Sequence, residues 1–442
     1  MLRLTILREK LKQGDAMYKK HYSNDTKIHT FEFDPECYFW EYTIGENQKL
    51  EFLHELAGDS DYSINWNVFD VYDGKNGYGK IQNGDKLIQG ASKNFPTVSM
   101  VDGKLKQGDF VSASPGFARW RIIVKNNIPV CEYVVPGNYY LKDARSGIGQ
   151  KENGNIIFMT VEGDDTQKRG MTCAEFGQFA KEIGCVFACD CDGGGSVSCR
   201  IGDGYLYNQG RKIAGAMTLK KKTLVDMCME YLGFGYVWGS PSPHDKLEIL
   251  TENKLNFYEN MFGKDRYHFN MIIDGQNVPV SALKWLGKKT VDCSGMIVYA
   301  ANKLGLIKGD YTAKGLYNLC EHIDNPEYGC LCFNEKLTHV GIYIGNGRYL
   351  HARGTYWGVV ITDKYNFVKF GVLEGEKKMV TEYWKDEAVD FVKYFQKKAG
   401  IVMDGKAGNN TVKKLDEIFD NQGSGDAKEI IDAWNNFTSK LK

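Results

Sequence analysis

The sequence predicts a multidomain α+β chain: a mixed α/β, glycine-rich domain over residues 1–220, an α+β domain over 221–380 and a small helical module over 381–442. Three observations predict it. At 442 residues the chain exceeds what one hydrophobic core serves, and 43% hydrophobic content suits ordinary globules rather than disorder. The central region follows a helical apolar period with a strand hairpin. The C-terminal stretch carries helical periods alone.

The central helix begins at Cys293. After Asp292-Cys293-Ser294-Gly295, residues Met296, Ile297, Ala300, Ala301 and Leu304 recur at three- and four-residue spacing, so Cys293 sits at the amino end. Unsatisfied backbone N–H groups there favour negative charge. The thiol is therefore expected to ionise below its ordinary value of roughly 8.5, with the same N–H groups free to hold an oxyanion. Gly295 permits close packing of that first turn.

Downstream, Thr338-His339-Val340-Gly341-Ile342-Tyr343-Ile344 alternates as a strand, Gly345-Asn346-Gly347 turns, and Arg348-Tyr349-Leu350-His351-Ala352 forms a second strand. Register decides whether the two histidines meet. A two-residue turn at Asn346-Gly347 puts them on opposite faces; a three-residue loop ending in left-handed Gly347 puts both on one face, and this is the expectation. His339 then takes the thiol proton, and His351 accepts a hydrogen bond from its second nitrogen. A lone helical Cys is ordinarily core and a lone strand His ordinarily structural. Three such residues, each in its own local context, point to a nucleophile with its base. The other cysteines are read as core.

These segments resemble the NlpC-type cell-wall cysteine peptidases. The resemblance implies a papain-like domain with a helix-borne Cys packed on an antiparallel sheet, and cleavage of peptidoglycan stem peptides beside γ-D-glutamate. It implies Cys293, His339 and His351 as the catalytic set. Tyr236-Val237-Trp238-Gly239 resembles the segment that precedes the family's Cys, which implies a Tyr236 hydroxyl near the nucleophile. Here an insertion, residues 240–290, separates the two. Asp292 and Ser294 join Tyr236 as substrate-binding candidates, Asp292 toward the substrate's amine or, alternatively, as a plain helix cap.

Upstream, Asp190-Cys191-Asp192-Gly193-Gly194-Gly195-Ser196 is expected to be neither regular strand nor helix. Its backbone N–H groups can approach a ligand closely, and Asp192 and Ser196 add a carboxylate and a hydroxyl, which suits a phosphate or a sugar hydroxyl. Around it stand Ile64-Asn65-Trp66-Asn67, Arg145-Ser146-Gly147-Ile148-Gly149, the apolar run Ile156-Ile157-Phe158-Met159-Thr160-Val161 and an amphipathic helix carrying Phe176, Phe179, Ala180 and Ile183. In that order, over roughly residues 50–215, they resemble the phosphodiester glycosidase family. The resemblance implies hydrolysis of a sugar-phosphate diester with Asn65, Arg145, Asp192, Gly193, Gly194 and Ser196 at the site. An Arg fork neutralises a phosphodiester while a carboxylate moves the proton at the glycosidic oxygen. Asp192, Glu162 and Asp164 all stay open as that carboxylate. On a bacterial surface the matching polymers are teichoic acids or capsular chains.

After Trp384, Ala388–Gln396 is helical in period, Gly400–Gly408 breaks it, and Thr411-Val412-Lys413-Lys414-Leu415 restarts it. Phe395-Gln396, Asp404-Gly405 and Thr411 resemble a small helical peptidoglycan-binding module.

Whole-chain properties bound the partners. Charges balance at 56 basic and 56 acidic residues, so no nucleic-acid partner is expected, and Lys220-Lys221-Lys222 reads as a solvated junction. No apolar run reaches the roughly 20 residues of a membrane span. Met1–Lys10 lacks the apolar core of a secretory signal, so synthesis in the host cytoplasm and reduced cysteines are expected. A wall hydrolase made this way points to a bacteriophage protein, released as a lysin or carried with other phage tail proteins, with the cargo of some other export route as the competing account. No metal or other cofactor is required, and Cys189-Asp190-Cys191 and Cys330-Leu331-Cys332 lack the spacing of zinc knuckles. Two other classes remain: a structural tail protein or adhesin using these folds for wall binding, and an acyltransferase with the same Cys-His pair.

Overall fold

Antiparallel strand pairing organises both of the domains that can be followed in the computed structural model. It describes Thr5–Ile6 and residues 17–373, apart from 24–25, 46–48, 67–80, 84–85, 90–95, 102, 109–115, 120, 131–140, 165–168, 242–246 and 248. The helical module expected at 381–442 lies outside the described residues, as does Asn67.

The N-terminal domain is built on an eight-stranded sheet and two five-stranded sheets. At the centre of the large sheet, β1 (Arg145–Lys151) lies between β2 (Ile156–Val161) and β3 (Cys185–Asp190). Strand β2 is apolar at nearly every position because both of its faces are covered. Ile157, Met159 and Val161 pack under α1 (Cys173–Glu182), while Ile156 and Phe158 enter the main core beside Phe33 and Tyr62. A capping box starts α1: Thr172 Oγ1 accepts the Glu175 N–H at 3.2 Å, and the Glu175 carboxylate accepts the Thr172 N–H at 2.8 Å. The helix returns the chain through β3 to the glycine run.

In the central domain α2 (Cys293–Lys303) packs Met296, Ile297, Ala300 and Ala301 against Val340 and Ile342 of β4 (Val340–Tyr343) and Leu350 and Ala352 of β5 (Arg348–Gly354). The six strands run in the order Cys320–Ile323, Lys369–Leu373, Leu331–Phe333, β4, β5, Gly358–Asp363. The insertion has a small core of its own, including Leu250, Leu255, Tyr258, Tyr267 and Trp285. Its ends adjoin: Gly235–Tyr236 pairs in parallel with Thr290–Val291. The Tyr236 segment therefore stays beside the start of α2, however long the chain between them.

The two domains share a continuous apolar core. Lys303, in the last turn of α2, reaches Asp34 at 3.1 Å and Glu36 at 2.8 Å. Of the three lysines expected at a solvated junction, Lys220 is exposed, whereas the other two are anchored. Lys221 Nζ donates to the Leu304 carbonyl at 3.1 Å and Lys222 Nζ to the Glu36 carbonyl at 2.8 Å. Each of the described cysteines is a free thiol. No helix among the described residues is long and apolar enough to cross a membrane, and no group of His, Cys, Asp or Glu there could hold a metal ion.

Candidate active site

Asp292 is the N-cap of α2. Its Oδ1 accepts the Gly295 N–H at 2.6 Å and the Ser294 hydroxyl at 3.2 Å, and its Oδ2 accepts the Gly239 N–H at 2.8 Å. Both oxygens are engaged within the protein. The carboxyl acts as the helix cap, tying the first helical turn to the Trp238-Gly239 segment. Ser294 spends its hydroxyl on the same clamp.

Cys293 follows, with 7% of its surface exposed. Its sulfur takes backbone N–H groups from Val340, Ser294 and Cys293 itself. These favour the thiolate, yet burial, reinforced by the charge of Asp292, pushes the thiol up to about 12. The expected ionised sulfur is therefore overturned: at rest Cys293 is a neutral thiol. Magnitudes explain why. A helix terminus supplies at most about 2 kcal/mol, whereas full burial can shift a titrating group by about 3–5 pH units, each worth about 1.4 kcal/mol.

The hairpin register is Ile342 opposite Leu350 and Tyr343 opposite Tyr349, closed by the three-residue loop Gly345-Asn346-Gly347. All three loop residues are left-handed, with φ of 85°, 54° and 73°, where only Gly347 was expected to be. The odd loop puts both histidines on one face, and His339 Nε2 lies 2.7 Å from His351 Nδ1. His351 is fully buried, and its Nε2 lies 3.1 Å from Thr362 Oγ1. If His351 Nε2–H donates to Thr362 and His339 Nε2–H donates to His351, then His339 Nδ1 is left with a lone pair for the thiol proton. Phe367 stacks on the His339 ring at 5.7 Å and Tyr365 edges the His351 ring at 4.4 Å. Burial pushes His339 down to about 4; burial, then the charges of His339 and Arg353, pushes His351 down to about 3. The resting centre is neutral throughout.

The sulfur makes no hydrogen bond to the His339 ring in this resting arrangement; it takes the N–H of the next residue, Val340. Such contacts commonly tighten only when substrate is bound. Tyr236 is buried, and its hydroxyl is held protonated by burial and then by the nearby Cys293 and Asp292.

In the N-terminal domain the glycine run forms a single 3-10 turn, Gly194–Ser196, rather than a wholly irregular loop. Gly194 has φ +59°, and a Cβ there would meet Asp143 Oδ2 at 3.0 Å. Asp192 is held up to about 7, burial outweighing its bond from Ser196 and the charge of Arg211. Arg145 is buried and gives Nε to the Met171 carbonyl at 3.0 Å and Nη2 to the Leu141 carbonyl at 3.1 Å, which leaves Nη1 as the end near Gly193. Asn65 is wholly buried. Its Oδ1 accepts from Ser146 Oγ at 2.5 Å and the Ser198 N–H at 3.0 Å, and its Nδ2 donates to the Asp192 carbonyl at 3.2 Å. It holds the loop in place. Of the other carboxylates left open, Glu162 bonds His29 at 2.8 Å and Asp164 faces Arg169 at 3.8 Å.

Residues 60–219 match the phosphodiester glycosidase family, and residues 282–393 match the NlpC/P60 family. The chain joins these two kinds of domain in one polypeptide. Among solved structures, the catalytic domain of zebrafish N-acetylglucosamine-1-phosphodiester alpha-N-acetylglucosaminidase matches at 15% identity and a TM-score of 0.41, covering 50% of this chain and 88% of that one. The peptidoglycan hydrolase RipB from Mycobacterium tuberculosis matches at 20% identity and a TM-score of 0.22, covering 34% of this chain and 62% of that one. A hypothetical protein from Synechocystis matches at 12% identity and a TM-score of 0.41, covering 47% of this chain; the chain spans 62% of that protein's length.

The NlpC/P60 match begins after most of the insertion, so Tyr236 and Trp238 lie before it. Thr362, Tyr365 and Phe367 complete the surroundings of the NlpC/P60 histidines and were missed in the sequence. Thr362 stands on a third strand whose register is unreadable until the hairpin is built. Asp143 and Arg211 flank the glycine turn of the phosphodiester glycosidase domain and were also missed, each being an isolated charge in sequence.

Proposed function

We propose that the protein is a cell-wall hydrolase whose NlpC/P60 domain cleaves peptidoglycan stem peptides through Cys293, His339 and His351. The observation that carries the reading is the 2.7 Å bond between the two imidazoles, next to a helix-borne cysteine whose sulfur takes the Val340 N–H. The proton of Cys293 Sγ passes to His339 Nδ1 as the sulfur attacks the amide carbonyl carbon. Backbone N–H groups at the start of α2 receive the oxyanion, and the imidazolium, steadied by His351, protonates the leaving amine. Water then hydrolyses the thioester with His339 as base. Because thiol and imidazole are both neutral at rest, proton transfer accompanies attack instead of preceding it. Tyr236 and Ser294 border the nucleophile, Tyr236 as a neutral donor and Ser294 through the Asp292 clamp. Mass spectrometry of products from purified sacculi tests this, with Cys293→Ala as the control: new peptide termini must appear with the wild type and not with the variant. Transfer to an acceptor other than water would appear as a mass addition.

A second activity belongs to the same proposal. The glycine turn, with Arg145, Asn65, Gly193 and Ser196 about Asp192, hydrolyses a sugar-phosphate diester of a wall polymer such as teichoic acid or a capsular chain. The observation favouring it is a carboxyl held near 7, which can give up and retake a proton close to neutral pH. Release of phosphate-linked sugar from purified polymer, lost in Asp192→Ala, is the test; no release by the wild type removes this activity. We retain from the sequence the expectation of a phage-borne protein, which gold labelling of intact particles with antibody to this chain checks.

A further inference from the structure

We infer that Arg353 is a substrate-binding residue that takes a carboxylate beside the scissile amide, so that the NlpC/P60 domain selects stem peptides with a free α-carboxylate on the γ-linked glutamate. The inference rests on the peptidase reading above and adds to it a residue and a chemical preference.

Arg353 follows His351 by two residues. Ala352 pairs with Val359 and Gly354 with Gly358, so Arg353 is the extra residue of a β-bulge in β5. Bulges re-aim side chains, and they are common beside active sites. Here the guanidinium is laid over the Trp357 ring, 4.1 Å from its centroid. The turn carrying Trp357 is fixed from outside: Trp285 Nε1 donates to the Thr355 carbonyl at 2.7 Å and Lys284 Nζ to the Tyr356 carbonyl at 2.8 Å. Gly358 closes the turn with φ +74°, and a Cβ there would lie 2.4 Å from the Phe234 carbonyl oxygen. A bulge, a ring and a braced turn thus place one cation, and no carboxylate among the described residues forms an ion pair with it.

That cation acts on the reaction centre. Its charge adds to the burial and the His339 charge that lower His351, and it opposes the rise that burial gives Tyr365, whose ring packs against both imidazoles. An unneutralised positive charge there opposes the imidazolium that His339 must become. A substrate carboxylate on Arg353 removes this opposition as it binds, and a guanidinium flat on an aromatic ring keeps its N–H edge available for a bidentate grip. The same contact both orients the peptide and lowers the barrier.

Two synthetic stem peptides test it, one with the glutamate α-carboxylate free and one with it amidated, with wild type, Arg353→Gln and Arg353→Lys. The wild type is expected to favour the free carboxylate by about tenfold or more in kcat/KM, as a charge-assisted bond supplies. Arg353→Gln brings the ratio near unity, and Arg353→Lys recovers part of it. A merely structural role lowers both substrates together and leaves the ratio alone. Equal cleavage of both peptides by the wild type, or a preference that survives in Arg353→Gln, overturns the inference while the peptidase stands. Cleavage of neither peptide by the wild type removes the peptidase reading and this inference with it.

Discussion

Substituting His351 probes the geometry on which the peptidase reading turns. Its Nδ1 lies 2.7 Å from His339 Nε2 in a fully buried setting, and in the proposed mechanism it accepts from a His339 ring that becomes an imidazolium during turnover. A hydrogen bond to a charged group contributes about 1.5–3 kcal/mol, so His351→Ala should lower kcat/KM by about 10- to 150-fold, mostly in kcat. His351→Asn places an amide oxygen where Nδ1 was and should stay within about tenfold of the wild type. The assay is single-substrate kinetics on a stem peptide, with Tm measured for each variant to separate folding from chemistry. If His351→Ala stays within about threefold of the wild type, or if Asn is as damaging as Ala at similar Tm, the orienting role is refuted.

Other outcomes follow from the neutral resting centre and from the helix cap. With the thiol near 12, alkylation of Cys293 by iodoacetamide should accelerate about tenfold per pH unit between about 6 and 9, whereas a preformed thiolate–imidazolium pair would give a plateau. His339 must be neutral to accept the proton. Burial lowers it to about 4, so kcat/KM should hold as pH falls to about 5 and decline only near 4; an acid limb close to 6.5 would show that the ring is hydrated. Asp292→Ala removes a cap serving three donors and should cost about 1–2 kcal/mol, read in denaturant unfolding, together with a loss of activity. Unchanged stability would mean that the clamp is dispensable.

Much of the central site was legible because local signals carried it. The apolar period after Cys293 placed that residue at a helix start, and the odd loop after Ile344 fixed the parity that lets His339 meet His351. The charge state was not legible. A helix terminus is visible in sequence, but the burial that outweighs it arises only when the folded chain closes over the sulfur. Asp292 shows the same limit: the cap was open to sequence reasoning, but its third donor, the Gly239 N–H from the far side of the insertion, was not. Adjacency of the insertion's ends also escaped prediction, since two-residue parallel pairing leaves no periodic trace. In the N-terminal domain the apolar run of β2 and the amphipathic face of α1 were plain, whereas Asp143 and Arg211 come to the glycine turn only through the fold.

Digestion of purified sacculi by wild type and Cys293→Ala, with the released peptides identified by mass spectrometry, bears most directly on the account. New stem-peptide termini with the wild type alone are the predicted result. The same products from the variant, or none from either, would contradict it.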